Sequence, residues 1–341
     1  MSKPSDQPSL RWDGNAIVTL DQRALPHERR LLRLDTVDDL ITAITTLAVR
    51  GAPSIGLAGA LGVALSAYTH GPSRTDGPGR DAVHADARRI AAARPTAVNL
   101  AWAVDRVLGR LSDGPDAVLA EATAMIEEDR AVNRRMVEHA ARAVLDRCPQ
   151  RSLRLLTHCN TGRLATAAVG TALGTILALA EAGKVTEVLV DETRPLMQGS
   201  RLTAWELADA GVPHRVCVDS AAAAAMNRGL VDCVLVGADR ITSRGDVANK
   251  IGTYGLAIAA DYHSIPFIVV APESTWDRSL ADGGSIVIEE RDGDEVTSYG
   301  GVRTAPPHTR AYNPAFDVTP AALITAIVSE HGVHHTSEVS A

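Results

Sequence analysis

Asp232-Cys233-Val234-Leu235-Val236-Gly237-Ala238-Asp239-Arg240 decides how this chain is read. Its apolar run has the continuous hydrophobicity of a strand covered on both faces, and its end delivers a carboxylate, Asp239, into a loop. Asn249-Lys250-Ile251-Gly252 follow ten residues after Asp239. The pattern predicts a helix over 249–263 that opens with this amide and ammonium group. A second run, Leu153-Arg154-Leu155-Leu156-Thr157, ends in His158-Cys159-Asn160-Thr161-Gly162 and delivers a thiol in the same way. A thiol and a carboxylate at two strand ends, with amide and cationic groups nearby, suit proton transfer on a phosphorylated molecule.

Outward from these two runs, strand-like and helical patterns alternate. Strands are expected at 153–157, 187–190, 215–218, 232–236 and 267–271, and helices at 162–182, 200–210, 220–228 and 249–263. Such alternation implies βαβ units and a doubly wound parallel sheet, whose ligands sit beyond the carboxyl ends of the strands. Those ends carry Cys159, Asp191-Glu192-Thr193-Arg194, Asp219-Ser220 and Gly237-Ala238-Asp239. Before this half the signals are mostly helical, at 37–49, 55–68, 81–92, 97–111 and 116–146, after a β-hairpin within 11–35. Breakers make 71–79 a loop. The expected division is a mobile tail over 1–10, a helical N-terminal domain over 11–147, a catalytic α/β domain over 148–333 and a tail over 334–341. The boundary falls around Cys148-Pro149-Gln150-Arg151.

At 341 residues the chain has room for two domains. A formal net charge of −7 argues against nucleic acid bound through phosphate neutralisation. The four cysteines, Cys148, Cys159, Cys217 and Cys233, lack metal-knuckle spacing, and His331, His334 and His335 lie near the end of the chain, so no metal is expected. No signal segment is read at the start, which makes a reducing cytoplasm the expected compartment. Ile55 to Tyr68 is too short a run to span a bilayer, and 164–180 carries Gly170, Gly174 and three threonines, so both read as buried helices of a soluble protein.

Several constellations could carry chemistry, each beside a plainer reading. Arg50-Gly51-Ala52-Pro53 joins two helical patterns, where backbone amides and a fork-shaped cation suit phosphate; the plainer reading is a turn with a solvated arginine. Arg94-Pro95-Thr96 also precedes a helix, and an arginine there favours a bound anion or is an exposed linker residue. Gly56, Gly59 and Gly62 follow no strand and read as close helix packing. Cys159 ahead of the helix expected at 162–182 would have a lowered thiol pKa, fit for a base or nucleophile. Buried structural cysteine is the other reading, and Cys217 and Cys233 suit it. Strand alternation points His158 away from Cys159. In the loop from Asp191 to Arg201, Gln198 is the best candidate ligand. Asp239, if its loop folds inward, is poorly solvated, and desolvation would make it a usable general acid near neutral pH.

Longer strings carry a resemblance over nearly the whole chain, from about Trp12 to Val333. They include Val49-Arg50-Gly51-Ala52-Pro53-Ser54-Ile55-Gly56, Arg94-Pro95-Thr96-Ala97-Val98-Asn99-Leu100, His158 to Gly162, Val190 to Leu207, Gly237 to Ile241, Gly245 to Tyr254 and Tyr312 to Pro320. Together they resemble the methylthioribose-1-phosphate isomerase family, which also contains the regulatory eIF2B subunits. Ala93, where an aromatic often precedes the Arg-Pro pair, and the glycine-rich insert at 71–79 depart from its pattern. The resemblance implies isomerisation of a 1-phosphorylated 5-methylthio aldose to the ketose, with no cofactor, in a homodimer with a helical N-terminal domain and a Rossmann-like C-terminal one. It implies Asp239 as general acid and Cys159 as its partner at the reacting carbons. Arg50, Gly51, Ala52, Arg94, Gln198, Asn249 and Lys250 become the phosphate and sugar contacts. Two alternatives stay open: an isomerase of ribose 1,5-bisphosphate, and a non-catalytic regulatory subunit.

Overall fold

The computed structural model describes residues 9–71, 77–94, 98–148, 152–166 and 168–334. The chain forms two compact units, Met1–Val132 with Gly162–Gly170, and Asn133–Thr161 with Thr171–Ala341. The division runs inside one long helix, between Val132 and Asn133, rather than at 147–148; Pro149-Gln150-Arg151 lie outside the described residues.

The first unit opens with Leu10–Asp13 (β1), Ala16–Leu20 (β2) and Leu31–Leu34 (β3). These make a three-stranded antiparallel sheet instead of the expected hairpin. Leu10 is buried and pairs with Thr19, and the Ser9 hydroxyl donates to the Thr166 carbonyl, so the end of the expected tail is structural. Residues 1–8 and 335–341 lie outside the described residues, while His334 belongs to a strand.

Val37–Thr45 (α1) starts at a capping box in which the Thr36 hydroxyl and the Asp39 carboxylate each satisfy the other's backbone N–H. Ala52–His70 (α2), Pro78–Ala91 (α3), Val98–Leu108 (α4) and Pro115–Arg147 (α5) follow. α2 is longer than its sequence pattern, and by length and composition it could cross a membrane. However, 78% of that apolar window is buried, as in the core helix of a folded protein. Its small residues admit neighbours closely: a Cβ on Gly56 would lie 2.8 Å from the Asn99 carbonyl oxygen, and one on Gly62 2.2 Å from Leu40. This is the close packing expected of the Gly56, Gly59, Gly62 spacing.

α5 explains where the units divide. Val118, Ala122, Met125 and Ile126 join the core of the first unit, whereas Met136, Ala140, Ala143 and Val144 join a core of the second. One uninterrupted helical pattern serves both, so sequence periodicity carries no mark of the change.

The second unit carries Leu153–Thr157 (β4), Val185–Asp191 (β5), His214–Cys217 (β6) and Cys233–Val236 (β7), then Arg240–Thr242 (β8), Val247–Lys250 (β9) and Phe267–Val270 (β10). After Trp276–Asp277 (β11), Ser298–Tyr299 (β12) and Val302–Arg303 (β13) come Phe316–Thr319 (β14), Ala326–Ser329 (β15) and Gly332–His334 (β16). The main sheet has the order β16-β15-β10-β7-β4-β5-β6, parallel except for β16. Alternate residues feed two cores. Leu155, Val188, Leu235 and Ile268 face one, with α5 and Ala172–Glu181 (α6); Leu156, Leu189, Val234 and Phe267 face the other, with Ala222–Asn227 (α8) and Thr253–Tyr262 (α9). Burial on both faces is the reason these strands read as continuous apolar runs.

Two helix expectations need correction. The helix read over 162–182 begins only at Ala172, and the described residues of 162–170 are irregular chain in a segment that clusters with the first unit. The helix read over 249–263 begins at Thr253. Asn249 and Lys250 instead end β9, paired antiparallel with β14 through Asn249↔Asp317 and Lys250↔Phe316.

Candidate active site

The sheet grows from β4 to β5 and β6 in one direction, then resumes on the other side of β4 with β7, β10 and β15. That makes the gap beyond the ends of β4 and β7 the topological switch point, where open α/β sheets bind ligands. Cys159 follows β4 and Asp239 follows β7. The two loops touch: a Cβ on Gly237 would lie 2.7 Å from Thr161 Cγ2. β4 and β7 are paired neighbours, so the thiol and the carboxylate follow adjacent strand ends.

Cys159 is buried and has φ +61°, a left-handed backbone that non-glycine residues adopt at a cost. Surrounding hydroxyls hold it there. Its N–H donates to Thr193 Oγ1 at 2.9 Å, and its carbonyl accepts from Thr203 Oγ1 at 2.6 Å. Thr193 Oγ1 in turn donates to the Asp191 carbonyl. The Asn160 amide is anchored by buried Glu206 at 2.8 Å. The helix expected just after the thiol is absent; α6 begins beyond it, and its Leu173 N–H donates to the Thr161 hydroxyl. The helix N-terminus therefore meets Thr161, two residues along from the thiol.

Asp239 stands differently. It is exposed, with its backbone N–H donating to the Ala248 carbonyl at 2.9 Å. The desolvation expected of it is not a property of its loop, because the β7–β8 connection pairs with β9 through its backbone and leaves the side chain outside. Asn249 and Lys250 are buried. The Asn249 amide donates to Thr253 Oγ1 at 2.9 Å; Lys250 Nζ donates to the Ala315 carbonyl at 2.7 Å and sits 4.9 Å from the centre of the Phe316 ring.

Gln198 precedes a π-helical turn, Gly199–Thr203, that leads into Ala204–Asp209 (α7). Such turns recur at functional sites. The turn presses on the end of β5: a Cβ on Gly199 would lie 1.7 Å from the Asp191 carbonyl oxygen. Gln198 is buried, and its Oε1 has no hydrogen-bond partner, which is costly unless a ligand completes it.

In the first unit, Gly51 (φ +93°) caps α2, and Ala52 opens it with Pro53 in the first turn and no side-chain cap. A Cβ on Gly51 would lie 2.6 Å from the Ala165 backbone, so this turn packs against the 162–170 segment. Arg50 and Ala52 are half-buried beside it. Arg94 is also half-buried, and α4 starts at Val98, while Pro95, Thr96 and Ala97 lie outside the described residues.

Sequence reasoning missed the polar layer beneath the strand ends. His158 is buried, its Nδ1 2.9 Å from Asp191 Oδ2 and its Nε2 2.8 Å from the Ile251 carbonyl. Asp219 accepts from the backbone N–H groups of Thr193 and Arg194, both at 2.7 Å. Asp317 accepts from those of Gly252 and Tyr254 at the start of α9. Burial favours a neutral His158 ring, but Asp191, by hydrogen bond and charge, with help from Asp219, outweighs it and raises the pKa. Burial pushes the Asp191 carboxyl up against the pull of His158. The Ile251 carbonyl requires an N–H at Nε2, and because the charge and hydrogen bond of Asp191 raise His158 above its ordinary range, the shared proton is assigned to the imidazole. Burial and Asp191 push the Cys217 thiol up to about 12, so it stays neutral. His158, Asp191 and Asp219 have ligand atoms within 4.8 Å of one another, the spacing of a metal site. Each of those side chains is instead engaged by protein donors or acceptors. The available signal was a histidine next to the thiol and acids at two neighbouring strand ends.

Residues 48–336 match the Initiation factor 2 subunit family. A probable bifunctional methylthioribose-1-phosphate isomerase/methylthioribulose-1-phosphate dehydratase of Nocardia farcinica is 63% identical over 98% of this chain, which spans 60% of that relative's length. A methylthioribose-1-phosphate isomerase of Klebsiella pneumoniae is 51% identical, covering 98% of this chain and 96% of its own. Among solved structures, 5-methylthioribose 1-phosphate isomerase from Pyrococcus horikoshii OT3 aligns with a TM-score of 0.88 and 38% identity, over 96% of this chain and 92% of its own. The translation initiation factor eIF-2B subunit delta from A. fulgidus aligns at 0.85 and 40%, over 96% of each chain. The chain belongs to the methylthioribose-1-phosphate isomerases of the Initiation factor 2 subunit family.

Proposed function

We propose that this chain converts 5-methylthioribose 1-phosphate to 5-methylthioribulose 1-phosphate, an aldose–ketose isomerisation of methionine salvage, without a cofactor. The observation that carries the reading is the thiol loop lying against the carboxylate loop at the switch point of the sheet. The activity named for relatives up to 63% identical supports it.

Phosphate on the anomeric oxygen blocks the usual opening of the sugar. The bond between C1 and the ring oxygen can break only as that oxygen gains a proton, and Asp239 supplies it. A bound sugar would itself cover this exposed carboxyl and provide the desolvation that keeps it protonated. Hydrogen then moves from C2 to C1 while the C2 hydroxyl loses its proton to become the ketone. Cys159 carries that hydrogen as a proton through an enediol-like species, or stabilises charge during a direct hydride shift. Arg50, the Gly51 and Ala52 amides, Arg94 and Lys250 serve the phosphate, and Gln198 and Asn249 the sugar hydroxyls. The unpartnered Gln198 Oε1 supports its part. A cytoplasmic homodimer completes the proposal, and sedimentation equilibrium tests the dimer.

Phosphorus NMR of the purified protein with 5-methylthioribose 1-phosphate and, separately, ribose 1,5-bisphosphate tests the reading. Conversion of the methylthio sugar, strongly reduced in Cys159→Ser, is the expected result. Turnover of the bisphosphate alone would reassign the substrate. No turnover from folded protein would favour the binding-only role suggested by the likeness to the eIF-2B subunit.

A further inference from the structure

The proposed chemistry leaves unused one buried imidazole that lies next to the thiol in the chain. His158 is 1% exposed and bonded at both nitrogens, to Asp191 Oδ2 at 2.9 Å and to the Ile251 carbonyl at 2.8 Å. A carbonyl oxygen only accepts, so Nε2 must carry a proton, and an ionised Asp191 requires another on Nδ1. The groups facing the ring are acidic or neutral. Asp191 ends β5, Asp219 follows β6, Asp317 lies on β14, and the Cys217 thiol donates to the other Asp191 oxygen at 3.5 Å. Asp219 and Asp317 each accept from two backbone N–H groups near the ring, and burial pushes the Asp317 carboxyl up against the pull of those bonds.

The two ring bonds reach different parts of the site. Asp191 leads through its carbonyl and Thr193 Oγ1 to the Cys159 N–H. Ile251 directly follows Asn249 and Lys250, and the next residue, Gly252, is fitted to the ring: φ is +108° and an added Cβ would lie 2.8 Å from His158 Cε1. The turn is shaped around the imidazole.

We infer that His158, as a cation donating from both nitrogens, is a positioning residue that fixes Cys159 relative to Asn249 and Lys250. The inference rests on the isomerase reading, in which the thiol works on carbons of a sugar held by those two side chains. Removing either ring bond lets the thiol strand and the β9–α9 turn shift separately, and a misplacement near 1 Å can cost about 10²-fold in rate.

The test uses two variants with nitrogen-15 NMR of the histidine rings. His158→Asn keeps a donor near the Nδ1 position, and His158→Gln keeps one near Nε2. Expected are a wild-type ring still protonated at both nitrogens above the ordinary histidine range, and kcat lowered roughly 10- to 100-fold in each folded variant with a smaller change in KM. A filler role would instead lower Tm and leave kcat of the folded protein unchanged. Wild-type turnover retained by both variants, or a wild-type ring with a single proton at neutral pH, overturns the inference. Failure of the isomerase reading looks different: wild-type protein itself would leave the methylthio sugar unconverted, which overturns both.

Discussion

The loops after β4 and β7 lie against each other, yet they are built in opposite ways. The thiol loop is buried, left-handed at Cys159 and gripped by Thr193, Thr203 and Glu206. The carboxylate loop exposes Asp239, its backbone held by pairing toward β9. Strain stored at one residue and fixed by several hydrogen bonds marks a group whose position matters before substrate arrives. An exposed acid has its environment completed by what binds. On this account the protein sets the position of the thiol, and the substrate completes the surroundings of the acid.

That contrast can be broken most sharply at Asp239. Asp239→Asn should lower kcat by on the order of 10²–10⁴ with KM little changed, the range for a lost general acid. Near-normal turnover would take Asp239 out of the chemistry. Arg50→Ala should cost roughly 1.5–3 kcal/mol of phosphate interaction, seen as weaker competitive inhibition by inorganic phosphate. Unchanged inhibition would remove Arg50 from the phosphate ligands and leave both loops as they are.

Thr193→Val tests the thiol side. It strands the Cys159 N–H without its acceptor, so urea unfolding should report a loss of about 1–3 kcal/mol together with lower kcat. If neither changes, the loop is not held through this hydroxyl. The smallest effect is on pH dependence. His158 has a folded pKa above its ordinary value, so its contribution to stability is complete below about pH 6.5 and is lost as pH rises through the raised value. Tm measured upward from about pH 6 should therefore fall, and His158→Asn should flatten the fall. An equal slope in both proteins would place the proton on Asp191 instead.

Much of this was legible in the sequence. The runs at Leu153–Thr157 and Cys233–Val236 announced buried strands because both faces are covered, and the groups at their ends followed from chain order. What stayed hidden depends on partners far along the chain. Val247–Lys250 is a strand only because Phe316–Thr319 pairs with it, so its amide and ammonium looked like the start of a helix. The stretch from Leu164 to Ala180 is mostly apolar with two glycines and three threonines, and periodicity does not separate irregular chain from helix there. The exposure of Asp239 follows from backbone pairing of its loop, which side-chain patterns do not encode. His158 was read as turned away from Cys159, but its partners, Asp191 and the Ile251 carbonyl, emerge only from the sheet order and the turn before α9.

The most direct measurement is kcat for Cys159→Ser, Asp239→Asn and the double variant on 5-methylthioribose 1-phosphate, followed by phosphorus NMR on folded protein. If the two loops serve one reaction, the double variant should be little slower than the worse single variant, as for groups that act as a unit. Losses that multiply as independent factors, or either single variant near wild-type turnover, would contradict the account.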